Sequence, residues 1–270
     1  SNEYIRRVDS SKMNILEEII ELKKNELKEK SKIIPLDRLR DSQRLYSVRN
    51  FYEALSLEGV QVIAEIKRKS PALGNINIDA KPNVVAKSYE ANGAACISIL
   101  TDRKYFGGQL EFIQQVKTAV DLPILRKDFI ISEYQIWESF HSGADAILLI
   151  ADAIERELLK DLYELAIELG LHVIIETHNV GHLDWVCNLR PKIIGVNCRD
   201  LTSMSADISW FEKVINELPK ESIWVAESGI NNYADLQYIY QLGFQAALVG
   251  TLLMKSEDPG LALAKLLYKN

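Results

Sequence analysis

Seven polar residues sit at or just past the ends of short apolar, β-branched runs in this 270-residue sequence. QVIAEIK (61–67) carries Glu65 and Lys67, and PILRK (123–127) ends in Lys127. HVIIE (172–176) ends in Glu176, KIIGVN (192–197) in Asn197, and SIWVAE (222–227) in Glu227, with Ser228 next. Side chains alternate faces along a strand, so Ile63, Glu65 and Lys67 share one face while Val62, Ala64 and Ile66 share the other. Opposite charges at i and i+2 near the end of a buried strand are either an ion pair or part of a site. A buried pair loses in desolvation much of what it gains in attraction, so repetition of the pattern favours a site. Two Lys, three Glu, one Asn and one Ser around one rim would titrate as a coupled set. That is equipment for general acid–base chemistry.

Two further signals accompany the charges. ESGI (227–230) and VGTLLM (249–254) place glycine where a strand turns toward a helix. Backbone N–H groups can approach an anion closely there, aided by a helix N-terminus. Gly229, Gly250 and Thr251 are phosphate candidates, with Ser70 and the weaker Lys69 near the first run; the plain alternative is that these glycines only connect elements. Phe106 in KYFGG and Phe129 in KDF lie beyond run ends, and Leu148 points inward from DAILLI (145–150). Beside a charged rim they can sandwich a planar aromatic group; otherwise they pack loops. His178 and His182 have i, i+4 spacing, but there is no HExxH and the strand ends before His182, so no metal is expected. Cys198 has no base partner at any telling spacing and reads as a buried thiol.

Something must bring these ends together. ACISIL (95–100) and QAALVG (245–250) complete a set of eight apolar runs, separated by amphipathic stretches such as ERELLKDLYELAIELG. Several of those stretches end in Gly, as left-handed helix caps require. Strands alternating with helices imply parallel pairing through right-handed crossovers. Eight repeats of about 25–27 residues suit a closed (β/α)8 barrel, whose active sites lie at the C-terminal mouth. An open doubly wound sheet would more often carry GxGxxG after its first strand, where this chain has KRKSPALG. Residues 1–50 are expected to form a helical extension packed on a 51–270 barrel. Ser11 is the expected N-cap of its helix, and KKNELKEKSK (23–32) is expected to be a solvated face.

Composition narrows the class. Lys+Arg 32 against Asp+Glu 38 gives −6, which argues against a non-specific nucleic-acid binder. Hydrophobic residues make up 47%, enough for a large core. Cys96, Cys187 and Cys198 are odd in number and far apart, against a disulfide framework. No apolar run approaches the roughly 18 residues of a membrane span. The first residues lack both an initiator Met and an apolar signal core, so a processed or tag-derived end and a cytoplasmic location are expected.

The ordered motifs resemble those of the indole-3-glycerol phosphate synthase family of tryptophan biosynthesis. They are AEIKRKSP (64–71), LTDRKYFGG (100–108), PILRKDFI (123–130), GADAILLI (143–150), IIETH (174–178), IIGVNCRDL (193–201), VAESGI (225–230) and ALVGTLLM (247–254). The resemblance covers most of the chain, and the N-terminal helical segment is similar to the helices that precede the barrel in that family. It implies ring closure, decarboxylation and dehydration of 1-(2-carboxyphenylamino)-1-deoxyribulose 5-phosphate, with no cofactor. It further implies Lys127 as the acid at the carbonyl, and Glu176 with Lys67 as proton-transfer partners in dehydration. Glu65 would orient the lysines or a hydroxyl, and Asn197 and Glu227 the sugar chain and charge network. Ser70, Ser228, Gly229, Gly250 and Thr251 would hold anionic oxygens, Arg199 the anthranilate carboxylate, and Phe106, Phe129 and Leu148 the ring. Two departures stand out: ETH in place of an EVH-like sequence, and SPALGN in place of a more lysine-rich first loop. The expected partner is a small phosphorylated aromatic amine, with no nucleic acid or membrane, acting on a monomer. Two rivals are a ketose-forming isomerase barrel and a non-catalytic phosphate-binding barrel.

Overall fold

The computed structural model describes residues 14–268. Eight parallel strands close into a barrel: β1 Gln61–Ile66, β2 Cys96–Leu100, β3 Ile124–Lys127, β4 Ala146–Ile150, β5 His172–Thr177, β6 Ile193–Asn197, β7 Ile223–Glu227 and β8 Ala246–Val249. All eight lie within the apolar runs, apart from a one-residue extension of β5 to Thr177. An open doubly wound sheet is excluded, because β1 pairs with both β2 and β8. Register places the polar ends side by side: Glu65 opposite Ser98, Leu100 opposite Lys127, Ile150 opposite Glu176 and Asn197 opposite Glu227.

Strand parity sorts the core into two clusters. Ile63, Leu125, Leu148, Ile174, Ile193 and Val225 fill the barrel interior, whereas Val62, Ala64, Ile66, Ile147 and Ile175 pack under the outer helices. A short helix, Phe51–Leu55, contributes its fully buried Phe51 and Leu55 to the inner cluster. The interior is therefore a packed core, with its polar layer confined to the mouth.

The helix α1 (Ile15–Ile33) precedes the barrel. Ser11, the expected N-cap, lies outside the described residues, and the cap is Asn14 instead. Asn14 Oδ1 accepts from the Glu17 N–H at 2.9 Å while Glu17 Oε2 accepts from the Asn14 N–H at 3.1 Å. This reciprocal box satisfies two otherwise orphaned donors, which explains the choice of cap. The 23–32 face is largely solvated, as expected, but two of its residues, Lys23 and Leu27, are buried. Lys23 is buried, with Nζ 2.8 Å from Asp102 and 3.2 Å from Asp128, and Lys30 reaches Glu138 at 3.0 Å. Leu16, Ile19 and Leu27 bury the apolar stripe of the same helix. No helix among the described residues is long and apolar enough to cross a membrane.

Candidate active site

Glu65 is the centre of the rim. It is 1% exposed, and its carboxylate lies 3.2 Å from Lys127 Nζ and 3.8 Å from Lys67 Nζ. Ser98 donates its hydroxyl to the same carboxylate at 2.8 Å. The glycine at 250 belongs to this arrangement: a Cβ there would come within 2.9–3.0 Å of the Glu65 side chain. Gly250 thus makes room for Glu65 as well as opening a one-turn helix, Thr251–Met254.

The two lysines differ in ionisation. Burial lowers Lys67 to about 8; Glu65 opposes the shift, while Lys127, Arg199 and Lys255 reinforce it by repulsion. Burial acts on Lys127 in the same sense, but Glu65, Glu227 and Glu176 outweigh it and raise its pKa. Lys127 therefore stays cationic, whereas Lys67 titrates close to neutrality.

Two carboxylates, Glu176 on β5 and Glu227 on β7, approach each other across the intervening strand β6. Glu176 and Glu227 are both buried, and Glu176 Oε1 and both Glu227 oxygens have no hydrogen-bond partner among the described residues. Burial and the adjoining Glu176 push the Glu227 carboxyl well above its ordinary range, which favours its protonated form. Burial would raise Glu176 too, but His178, Glu227 and Lys127 hold it below the usual carboxylate range. Like charges at close range resolve by sharing a proton. Gly195 makes room for this pair, since a Cβ there would collide with Glu227 Oε2.

Asn197 Oδ1 accepts from the Arg199 N–H at 3.0 Å and from the Ser228 hydroxyl at 2.9 Å. Ser228 adopts φ 69° and Gly229 φ 79°, so the chain turns sharply at the end of β7. Left-handed backbone at a non-glycine residue costs about 1–3 kcal/mol, and the bond to Asn197 helps hold it. At Gly229 a Cβ would meet Ile208 at 2.7 Å, so glycine is required there on two counts.

Two cavities share Lys67, Lys127, Arg199, Ser228 and Thr251 as common wall. The larger, about 320 Å³, is lined by Leu16, Ile19, Phe106, Phe129, Leu148 and Ile150 on its apolar side, with Ser70 at its edge. Phe106 and Phe129 have ring centroids 5.9 Å apart. The smaller, about 160 Å³, is lined by Gly229, Gly250 and Thr251. Arg199 borders both and is steadied by donating to the Met204 carbonyl at 2.7 Å. Lys69 lines neither; its ammonium donates to the Lys104 carbonyl at 3.0 Å.

Cys198 is buried, and burial pushes its thiol up to about 11, which leaves it inert. The Thr177 hydroxyl donates to the Asn179 carbonyl at 2.8 Å, on the side away from the cavity. His178 pairs with Glu176 whereas His182 pairs with Asp152, and no cluster suited to a metal occurs among the described residues. Sequence reasoning missed Ser98, the α1 residues Leu16 and Ile19, and the contact of His178 with Glu176. Parity within ACISIL puts Ser98 inward, and His178 is two positions from Glu176, so both carried a usable signal.

Barrel, charged mouth and paired apolar and polar cavities together define a (β/α)8 enzyme working by acid–base chemistry at its C-terminal face. The family model described as indole-3-glycerol phosphate synthase matches residues 16–266. An indole-3-glycerol phosphate synthase of Streptomyces griseus is 41% identical, covering 94% of this chain and 95% of that protein. One from Chromobacterium violaceum is 39% identical over 94% of this chain and 98% of its own length. The chain belongs to the indole-3-glycerol phosphate synthase family, carboxy-lyases of tryptophan biosynthesis. The fold alone is shared with a solved 3-hexulose-6-phosphate synthase of Salmonella typhimurium, at TM-score 0.62 and 10% identity over 77% of this chain and 96% of that one.

Proposed function

We propose that this rim converts 1-(2-carboxyphenylamino)-1-deoxyribulose 5-phosphate to indole-3-glycerol phosphate, CO2 and water, with the steps divided between its two lysines. The observation that carries the reading is one buried carboxylate, Glu65, held between a permanently charged Lys127 and a Lys67 poised near neutrality. The aniline nitrogen supplies the electrons, so that the ring carbon bearing the carboxylate attacks the ketone. The ketone oxygen becomes an alkoxide, far more basic than an amine, so proton transfer from the Lys127 ammonium is downhill. Loss of CO2 restores the aromatic ring. In the dehydration, Lys67 is the acid matched to the leaving hydroxyl, and ionised Glu176 takes the carbon-bound proton. No electrons are gained or lost overall, so the chemistry requires no redox cofactor.

Glu65 orients both lysines, while Asn197 and Glu227 fix the sugar chain and the charge balance. Phe106, Phe129 and Leu148 take the aromatic ring, and Arg199 its carboxylate. Ser228, Gly229, Gly250 and Thr251 hold phosphate in the small polar cavity beside the last two strands, and Ser70, on the larger cavity, holds a neighbouring anionic oxygen. In this reading residues 1–50 are a helical extension and 51–270 the catalytic barrel, and the enzyme works in the cytoplasm as a monomer, without nucleic acid or membrane, in keeping with its −6 charge. The decisive assay follows indole fluorescence and CO2 from the anthranilate-derived ketose phosphate. Isomerisation without CO2 would point to an isomerase, and tight binding without turnover to a phosphate-binding barrel.

A further inference from the structure

The mechanism above uses Glu176 but not the ring that touches it. His178 Nε2 lies 2.9 Å from Glu176 Oε2, and His178 Nδ1 lies 2.9 Å from the carbonyl oxygen of Arg199. A carbonyl oxygen only accepts, so Nδ1 carries hydrogen. Nε2 against a carboxylate oxygen then leaves two arrangements: an imidazolium donating to the carboxylate, or a neutral ring accepting from a protonated Glu176. Either way one proton resides on the contact, because a neutral ring beside a bare carboxylate would set two acceptors against each other. The main chain that carries the ring is held as well, since the His178 backbone N–H donates to Asp152 Oδ2 at 2.9 Å.

We propose that His178 is the positioning residue for Glu176, its ring locked by the Arg199 carbonyl and its proton held on Oε2, leaving Oε1 to exchange protons with substrate and Glu227. The inference rests on Glu176 acting in proton transfer. The proton taken from substrate lands on Oε1, and the proton on His178 is retained throughout.

The charged surroundings favour the imidazolium form. Glu176 faces the ring from β5 and Asp152 from the loop after β4, with His182 3.4 Å beyond Asp152. Arg199, after β6, lines the same cavity and opposes them, and past Glu176 lie Glu227 and Lys127. Burial lowers the His178 pKa, but Glu176, the Arg199 carbonyl and Asp152 carry it above 6.5.

Nitrogen-15 NMR of the full chain tests the pairing directly. His178 should titrate above 6.5 in the wild type and fall below its wild-type value in Glu176→Gln. His178→Asn keeps a donor for the Arg199 carbonyl but removes the cation. It should lower kcat about tenfold and move the acid limb of the kcat profile up by about one pH unit or more. His178→Gln, whose longer side chain can bring a neutral donor to Glu176, should recover part of kcat without restoring the limb. A structural role alone would lower kcat and leave the limb in place. A wild-type His178 titrating at or below 6.5, or an unmoved limb in His178→Asn, overturns the proposal; should the variants not fold, the wild-type titration decides. If Glu176→Gln stays active while the imidazole pKa drops, the pairing stands and the catalytic assignment of Glu176 fails.

Discussion

Three consecutive residues, Arg126, Lys127 and Asp128, belong to two different electrostatic regions. Lys127 points into the barrel mouth. Arg126 and Asp128 point outward, into a buried network beneath α1. There Arg126 donates to Thr101, Ser139 and the Gln135 carbonyl at 3.0–3.2 Å, and pairs with Glu138 at 2.8 Å and Asp128 at 3.3 Å. Asp128 also accepts from the Thr101 hydroxyl at 2.6 Å and the Phe129 N–H at 2.7 Å. Burial would raise Asp128, but Arg126 and Lys23 hold it at about 2. Every charge in the outward network is matched, whereas the inward rim keeps a glutamate pushed well above the usual carboxylate range, a lysine near 8 and carboxylate oxygens without partners. Burial is similar in both, so it does not mark the working site. Incomplete satisfaction does: groups left short of partners are the ones a substrate can complete.

The largest effects should separate the two regions cleanly. Arg126→Ala strands Asp128 and Glu138 in the interior and should cost about 3–5 kcal/mol, read by denaturant unfolding. Activity per folded molecule should change much less. Lys127→Ala should do the reverse, lowering kcat about 100-fold or more with a smaller loss of stability than Arg126→Ala, because Glu65 keeps Lys67 and Ser98 as partners. Near wild-type turnover in that variant would remove Lys127 from the mechanism, and a large loss of stability would place it with the structural network.

The barrel was legible because strands covered on both faces read as continuous apolar, β-branched runs. The rim was legible for the same reason, since a Lys or Glu stands out where such a run ends. The outward network was not. Lys23 looks like any other lysine in a charged helix, and only folding brings it onto Asp102 and Asp128, far along the chain. Ser98 is inward by parity, yet one serine in an apolar strand is weak evidence of a role. At His178 two patterns compete: its i, i+4 spacing with His182 raised the question of zinc, while its i+2 relation to Glu176 is the one realised.

Gly250 sharpens the comparison at smaller scale. Its sequence context speaks only of an anion, but the Glu65 side chain occupies the space a Cβ would need. Gly250→Ala should displace Glu65 from its lysines and lower kcat about tenfold, in addition to any rise in KM. A change confined to KM would restrict Gly250 to phosphate binding.

The smallest effect should come from the residue that looks most costly. Glu227 is fully buried among carboxylates, and ionised it would be expensive to replace. Protonated, it resembles glutamine in shape and keeps a donor toward Glu176. Its folded pKa lies above its ordinary 4.5, so its contribution to stability is full below that value and lost as pH rises through the folded pKa. Glu227→Gln should therefore match wild type at pH 5 within about 1 kcal/mol and equal or exceed it at pH 8, where the wild type bears the strain of a buried ionisable acid. Urea unfolding at both pH values decides the matter. A loss of several kcal/mol at both would mean that Glu227 is ionised and paired like the outward network, and the distinction between the two regions would not hold at this position.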